Sequence, residues 1–275
     1  MISLLGAKPV FVDIGRDTFN IDLEKIKQAL GPRTRGIIAV DIFGQCADYD
    51  LINQLAKDKG LFVIEDAAQS FGARYKGRMA CSLAGIGCAS FFPAKPLGCY
   101  GDGGMVFSDD DKAAEVLRSL RGHGAGGHKY EHVRIGINSR LDTLQAGILL
   151  AKFKYFPEEI TLRNQVADHY TQQLKDIAET PVILPYNLSV YAQYNILVKN
   201  RDLLQKQLGE DQIPTAVYYP KPLHLQTAYA SLGYKKGDFP VTEYVCGHIL
   251  ALPMHPYLTR EEQDFIIGKI KAWGG

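Results

Sequence analysis

One lysine of the sequence lies in surroundings that favour covalent chemistry. Lys95 stands between Pro93 and Pro96 and follows two phenylalanines. The prolines restrict the backbone, and the aromatic rings can exclude water. A partly desolvated lysine loses its proton more readily, and only the neutral amine attacks a carbonyl carbon. On these grounds alone, a catalytic lysine and an ordinary solvated lysine are equally good interpretations of Lys95.

Three further polar residues lie in or directly after apolar runs that are typical of strands. Asp66 and Gln69 come after the run 61–64, and Ser90 lies in the run 88–92. In open α/β sheets, ligands bind at the carboxyl ends of the strands. Asp66 is therefore either the N-cap of a helix or a carboxylate that faces a cationic ring nitrogen.

Glycines and histidines supply two other candidate sites. The glycine-rich run at residues 98–104 matches neither the P-loop nor the dinucleotide-binding pattern. It leads into a predicted strand, so we expect a tight turn with close backbone approach. His123, His128 and His132 have no cysteine or carboxylate partner at the spacing of a zinc site. Their glycine-rich surroundings favour a loop that covers a ligand, and we predict no metal.

The elements that must position these residues alternate between strand and helix in the first half of the chain. Predicted strands cover residues 9–12, 36–40, 61–64, 88–92 and 104–107, and predicted helices cover 23–30, 50–59 and a stretch capped by residues 109–111. This order indicates an α/β fold with a largely parallel, buried central sheet flanked by helices.

The pattern becomes helical after Arg140. Predicted helices cover residues 141–155 and 158–177, and a smaller α/β piece follows with strands at 194–198 and 215–219 and a closing helix at 259–273. Pro157 separates the two long helices. We therefore place a domain boundary there, between residues 1–157 and residues 158–275.

The composition excludes several classes of function. Lys plus Arg number 31 and Asp plus Glu 30, a formal net charge of +1, so we expect no nucleic-acid partner. No apolar run reaches the roughly 18 residues of a membrane span, and the first residues lack the features of a signal peptide. The five cysteines form no C-x-x-C pair, which fits a reduced, cytoplasmic protein.

Several motifs together resemble the DegT/DnrJ/StrS-type sugar aminotransferases, which are pyridoxal-phosphate (PLP) enzymes of fold type I. The motifs are EDAAQS at 65–70, SFFPAKPLGCYGDGG at 90–104 and GINSRLDTLQA at 136–146, with support from GQCAD at 44–48, YAQY at 191–194, IPTAVYYP at 213–220, PLH at 222–224 and LPMHP at 252–256. They extend over essentially the whole chain. The set is most similar to the branch that acts on UDP-linked 3-keto sugars, such as UDP-2-acetamido-3-oxo-glucuronate.

The resemblance implies roles for four residues at a PLP site. Lys95 would form the Schiff base with the cofactor and later move a proton. Asp66 would pair with the pyridinium nitrogen, which keeps the ring an electron sink. Gln69 would support the phenolic oxygen of the ring, and Ser90 would donate to the phosphate.

The resemblance also implies a homodimer with shared active sites. Asn138 would reach the phosphate of the neighbouring subunit's cofactor, and Arg140 would bind a substrate carboxylate as a planar bidentate donor. Tyr218, Tyr219 and His224 would lie near the nucleotide sugar. The sequence departs from the family at Tyr218, where close relatives often carry histidine.

A second departure concerns the start of the chain. Family members carry a further N-terminal segment, whose Gly-Thr backbone and hydroxyl hold the cofactor phosphate at a helix N-terminus and whose aromatic residue stacks on the ring. Met1 aligns with a position inside the large domain of the family. The resemblance therefore implies an N-terminally truncated fold with an incomplete cofactor site.

The activity that the resemblance implies is PLP-dependent transamination of a keto nucleotide-sugar. Glutamate would be the amino donor, and the pathway would be cell-surface polysaccharide or amino-sugar biosynthesis. One alternative is a non-catalytic relative or interaction subunit. Another is a PLP- or PMP-dependent sugar dehydratase, against which Lys95 argues, because histidine replaces the lysine in that branch. An NAD-binding protein is a weaker hypothesis, since the dinucleotide fingerprint is missing from the sequence.

Overall fold

The computed structural model of the protein describes residues 1–128 and 130–274. The α-helices are α1 (Leu23–Ala29), α2 (Tyr49–Lys59), α3 (Asp111–Arg121), α4 (Thr143–Phe153), α5 (Phe156–Leu174), α6 (Arg201–Glu210), α7 (Pro240–His248) and α8 (Arg260–Gly274). The strands are β1 (Gly36–Val40), β2 (Phe62–Asp66), β3 (Arg74–Tyr75), β4 (Arg78–Met79), β5 (Ile86–Ser90), β6 (Gly104–Phe107), β7 (Asn187–Leu188), β8 (Tyr194–Leu197) and β9 (Ile249–Leu252). None of the described helices is both long and apolar enough to cross a membrane.

The chain divides into two compact units. The sheet unit comprises Arg35–Glu158 and Tyr186–Val190, and the terminal unit comprises Met1–Thr34, Glu159–Pro185 and Tyr191–Gly275. The expected division into residues 1–157 and 158–275 differs from this grouping in two places. Residues 1–34 group with the C-terminal half of the chain, and residues 186–190 group with the sheet.

The central sheet of the sheet unit has the strand order β1-β2-β5-β6. Strands β1, β2 and β5 are parallel, and β6 is antiparallel to β5. Val40 pairs with Asp66, and Asp66 pairs with Cys88, so the carboxyl ends of the parallel strands lie at one edge. The prediction of a largely parallel α/β sheet is confirmed.

Burial alternates along these strands, although we expected a sheet buried on both faces. In β1, Ile37 and Ala39 are buried while Ile38 and Val40 are exposed, and Phe62 of β2 is exposed as well. Helix α2 packs against β2. Successive side chains of a strand point to opposite faces, so this alternation leaves one apolar face open among the described residues.

The terminal unit is built on a core between helices α5, α6 and α8 and the antiparallel pair β8–β9. Fully buried residues of this core include Tyr170, Leu174, Ile196, Leu204 and Leu250. The expected strand at residues 215–219 is reduced to an isolated bridge between Ala216 and Ala251.

The N-terminal residues 1–34 pack within the terminal unit. The Phe11 ring lies 5.1 Å from the ring of Tyr229, and buried Asp13 accepts hydrogen bonds from the backbone N–H groups of Val241 (3.0 Å) and Thr242 (2.9 Å) at the start of α7. The strand predicted at residues 9–12 is not formed. An apolar run predicts burial of its side chains, whereas a strand also requires a neighbouring strand for its backbone.

Candidate active site

Asp66 lies at the carboxyl end of β2, where the chain turns. Its side-chain Oδ1 accepts a hydrogen bond from the N–H of Ala68 at 3.1 Å, and the N–H of Ser70 donates to the carbonyl of Ala67 at 3.0 Å. A tight turn thus follows the strand, and the predicted N-cap alternative for Asp66 is wrong, because no helix begins there. The Asp66 side chain is only partly buried.

Ser90 lies on the same face of the sheet as Asp66. Asp66 pairs with Cys88 across β2 and β5, and Ser90 is two residues further along β5. Residues two apart in a strand share a face. The Ser90 hydroxyl accepts a hydrogen bond from the N–H of Phe92 at 3.3 Å. The sheet therefore brings a carboxylate and a hydroxyl to one face near the strand ends.

Lys95 follows β5 in a turn that its two prolines flank. Its backbone N–H donates to the carbonyl of Phe92 at 2.9 Å, and its side chain is partly buried. Burial lowers the pKa of Lys95 below the usual value for lysine, and the Asp66 carboxylate opposes this shift. Lys95 is therefore partly shielded from water, and its catalytic role stays a prediction.

Gln69 is buried in the turn after β2. Its side-chain Oε1 accepts a hydrogen bond from the N–H of Phe43 at 2.6 Å. Because a backbone N–H is a donor, it is the oxygen of the amide that faces Phe43. The loop after β1 thus fixes the orientation of the Gln69 amide.

The glycine-rich run after Lys95 makes close backbone contacts, as the sequence predicted. A Cβ atom on Gly98 would lie 2.5 Å from the carbonyl oxygen of Pro93, so only glycine fits there. Two side chains of helix α4 form hydrogen bonds with the backbone of this run. The Lys152 ammonium donates to the Gly98 carbonyl at 2.5 Å, and Gln145 Oε1 accepts from the N–H of Tyr100 at 2.8 Å.

Gln145 and Lys152 are residues to which the sequence reasoning gave no role. Gln145 belongs to one of the motifs that carry the family resemblance, and its position there is the signal that marks it. The contact of Lys152 could not be recognised from the sequence, because the ammonium group of a lysine on a helix is usually solvated.

Asn138 and Arg140 lie in the exposed segment before α4. Asn138 forms an isolated bridge with Gly122, and Arg140 Nη1 lies 3.4 Å from His123 Nε2. Both side chains are exposed in the single chain. Among the described residues there is no group of three or more His, Cys, Asp or Glu side chains that could hold a metal ion.

The other predicted residues, Tyr218, Tyr219 and His224, belong to the terminal unit. Tyr219 is 51% exposed and Tyr218 is partly buried. His224 is only 3% exposed, and its Nε2 lies 3.0 Å from Oε1 of Glu243. Its contact with Glu243 ties His224 to helix α7, and its role near a substrate stays a prediction.

The comparisons with known proteins agree with this geometry. The model of the DegT/DnrJ/EryC1/StrS aminotransferase family matches residues 1–271. A UDP-2-acetamido-2-deoxy-3-oxo-D-glucuronate aminotransferase of Pseudomonas aeruginosa is 51% identical over 258 residues, a match that covers 94% of this chain and 71% of that protein.

Solved structures share the fold. A DegT DnrJ EryC1 StrS aminotransferase from Brucella abortus superposes with a TM-score of 0.93 and 46% identity, covering 100% of this chain and 75% of that one. The PLP form of the sugar aminotransferase Spr1654 from Streptococcus pneumoniae has a TM-score of 0.92 and 26% identity, covering 98% and 76%. The chain belongs to the DegT/DnrJ/EryC1/StrS aminotransferase family.

Proposed function

We propose that this protein is a PLP-dependent aminotransferase that transfers an amino group from glutamate to a keto nucleotide-sugar. The observation that carries the proposal is that partly buried Lys95 follows strand β5, while Asp66 ends the neighbouring strand β2. A partly desolvated lysine with a lowered pKa lies in the field of a carboxylate at the end of a parallel strand. Such a lysine offers its neutral amine to a carbonyl more readily than a solvated one does.

The donor set of the sheet unit fits PLP. The cofactor has an aldehyde, a basic ring nitrogen, a phenolic oxygen and a phosphate. Lys95 would hold the aldehyde carbon, Asp66 would accept the N–H of the protonated ring, Ser90 would donate its hydroxyl to the phosphate, and Gln69 would support the phenolic oxygen. When bound, PLP supplies an electron-withdrawing ring that stabilises negative charge on carbon during amino transfer.

The residues of this chain prepare that chemistry in two ways. Lys95 is the group that can accept and return a proton at its Nζ, because its lowered pKa brings the neutral amine closer to physiological pH. Asp66, at the end of the neighbouring strand β2, would serve as a hydrogen-bond acceptor, and the Ala68 N–H orients one of its oxygens.

We further propose that the substrate is a UDP-linked 3-keto sugar. The name of the Pseudomonas aeruginosa relative specifies a 3-oxo sugar acid, and the identity of 51% supports a related substrate here. Arg140 would bind the carboxylate of such a sugar acid, since guanidinium and carboxylate match as bidentate partners. Tyr218, Tyr219 and His224 would contact the nucleotide sugar. The product would serve amino-sugar or cell-surface polysaccharide synthesis in the cytoplasm.

The active unit is, by this proposal, a homodimer. Large apolar side chains on and before α4 are exposed in the single chain: Ile135, Ile137, Leu144, Leu150 and Phe153. Asn138 and Arg140 lie in the same stretch. Several large apolar side chains exposed in one segment indicate an interaction surface. In a dimer, a second copy would bring Asn138 and Arg140 to the neighbouring site.

PLP titration and an amino-transfer assay test the proposal. The chain should develop a visible absorption band with PLP, and it should move ¹⁵N from labelled glutamate to a UDP-linked 3-keto sugar, as detected by mass spectrometry. Lys95→Ala should lose both signals, whereas Lys112→Ala, an exposed lysine on α3, should keep them. A chain without the band and without ¹⁵N transfer would contradict the proposed function.

A further inference from the structure

Two carboxyl groups lie buried beside the proposed cofactor site and have no role in the chemistry above. Asp41 follows β1 and Glu65 lies in β2, and both are 0% exposed. Glu65 pairs with Ala39 of β1, and Asp41 is two residues further along, so the two side chains lie on the same face of the sheet. No salt bridge to either carboxyl occurs in the part of the chain that the structure describes. Burial raises the pKa of both carboxyl groups, and the charge of Glu65 raises that of Asp41 further.

Each carboxyl group of the pair accepts hydrogen bonds from backbone N–H groups of a neighbouring loop. Glu65 accepts hydrogen bonds from the N–H groups of Cys81 (2.6 Å) and Leu83 (2.8 Å), which anchors the turn before β5. Asp41 Oδ1 accepts from the N–H of Ala47 (2.9 Å). The pair therefore organises the chain on both sides of β2.

Two hydroxyl groups also donate to Asp41, one to each oxygen. Tyr49 donates its hydroxyl to Oδ1 at 2.9 Å, and Ser70 donates its hydroxyl to Oδ2 at 3.0 Å. Tyr49 begins helix α2, whereas Ser70 closes the turn that carries Asp66 and Gln69. The two oxygens of Asp41 thus serve different segments of the fold.

The turn at residues 66–70 is fixed to the loop after β1 at several points. The Asp41 N–H donates to the Asp66 carbonyl at 3.0 Å, and the Phe43 N–H donates to Gln69 Oε1 at 2.6 Å. The Ser70 hydroxyl donates to the Asp41 carboxyl group. The Ser70–Asp41 hydrogen bond is buried, so water cannot replace it without cost, and the Phe43–Gln69 hydrogen bond is partly buried.

We propose that Asp41 is a positioning residue, which, through the hydroxyl of Ser70, fixes the turn that presents Asp66 and Gln69 to the cofactor. This inference rests on the proposed function. It assigns to Asp41 no contact with cofactor or substrate.

A matched pair of variants isolates this role. Ser70→Ala and Tyr49→Phe each remove one hydroxyl donor from the same carboxyl group, and both hydroxyls are buried. Both variants should lower the melting temperature of the apo protein by similar amounts. Only Ser70→Ala should weaken the apparent affinity for PLP, by about tenfold, while Tyr49→Phe stays within about twofold of the wild type.

Substitutions of Asp41 provide a second readout. Asp41→Asn retains an acceptor and gains donors that can face Glu65, so it should keep PLP affinity closer to the wild type than Asp41→Ala does. At saturating PLP, the KM for the keto sugar should stay unchanged in Ser70→Ala, since the substrate does not contact this turn by the present proposal.

Two results would overturn the role of Asp41. One is a Ser70→Ala protein with wild-type affinity for PLP, and the other is an equal loss of affinity in Ser70→Ala and Tyr49→Phe. The comparison of these two variants stands even where Asp41→Ala fails to fold. A wild-type chain that gives no visible band with PLP instead contradicts the proposed function, so the two failures are distinguishable.

Discussion

The ammonium of Lys152 donates a hydrogen bond of 2.5 Å to the carbonyl of Gly98, three residues after Lys95. This contact joins helix α4 to the segment that carries the proposed catalytic lysine. Since α4 also follows the exposed residues Asn138 and Arg140, one helix connects the lysine segment with the proposed subunit contact.

Replacing Lys152 should therefore loosen the lysine segment. Lys152→Met keeps most of the aliphatic length but removes a charge-assisted hydrogen bond, so we expect the free energy of unfolding to fall by about 1.5 kcal/mol. Urea unfolding measures this loss. Lys154→Met, an exposed lysine just after α4, is the control and should change stability by less than about 0.5 kcal/mol. Equal effects in the two variants would contradict the structural role of Lys152.

A side chain at Gly98 should disrupt the turn around Lys95. The Cβ atom of Gly98→Ala would lie 2.5 Å from the Pro93 carbonyl oxygen and 2.8 Å from that of Phe92, so the backbone must shift. We expect a loss of about 3 kcal/mol or more in unfolding free energy, together with weaker PLP binding. Gly147→Ala on α4 is the control, because nothing lies within 4 Å of its Cβ. Alanine should stabilise that helix by up to about 1 kcal/mol.

The pKa of Lys95 should depend on Asp66. Burial lowers the Lys95 pKa and Asp66 raises it, so Asp66→Asn should lower it further. Acetylation of the apo protein over a pH series, followed by peptide mass spectrometry, gives the midpoint for each lysine. The midpoint of Lys95 should lie at a lower pH in Asp66→Asn than in the wild type. A midpoint that rises in Asp66→Asn would show that the two groups do not interact as described.

The buried pair should make stability depend on pH in a defined direction. Burial, and then the charge of Glu65, raise the pKa of Asp41 well above its usual value. The folded state therefore retains a proton that the unfolded chain releases above about pH 4. This contribution to stability is complete below that pH and is lost as the pH rises through the folded pKa. Relative to the wild type, Asp41→Asn should become more stable as the pH rises from about 4 to 8.

Asp50 provides a control of opposite sign for this experiment. A hydrogen bond from Lys76 lowers the pKa of the Asp50 carboxyl. Its contribution is present above the unfolded pKa and is lost as the pH falls, so Asp50→Asn should become less stable relative to the wild type as the pH rises. Urea unfolding at several pH values measures both differences. Parallel trends in the two variants would contradict the raised pKa of Asp41.

The N-terminal residues should stabilise the terminal unit through Asp13. Burial acts to raise the pKa of Asp13, but hydrogen bonds from Thr242, Val241 and Ile14 outweigh it, and the pKa is lowered. Asp13→Ala leaves the N–H groups at the start of α7 without their acceptor, so we expect a loss of about 2 kcal/mol in unfolding free energy. Exposed Asp17→Ala is the control and should be near neutral. Equal stabilities of the two variants would contradict the anchoring role of Asp13.

Local patterns were enough to predict much of the sheet unit. The apolar runs gave β1 and β6 with the observed bounds, and β2 and β5 within about two residues. Strand periodicity and flanking glycines are local properties, so they can be recognised without the partners of a strand.

Other features depended on partners that are distant in the sequence. Residues 9–12 and 215–219 are apolar enough for strands, yet neither segment became one. Three observed features also depend on residues that are distant in the sequence. They are the burial of His224, the hydrogen bond from Lys152 to Gly98, and the grouping of residues 1–34 with the C-terminal half.

The family, the type of the sheet and the identity of the candidate lysine and carboxylate could all be predicted from the amino-acid sequence alone. These follow from residue types at fixed local spacing. The contact of Asp41 with Ser70, and the burial of Asp41 and Glu65 on one face of the sheet, could be recognised only in the folded protein. Desolvation and hydrogen bonding depend on what surrounds a carboxyl group in space. That environment is assembled only when strands β1 and β2 pair.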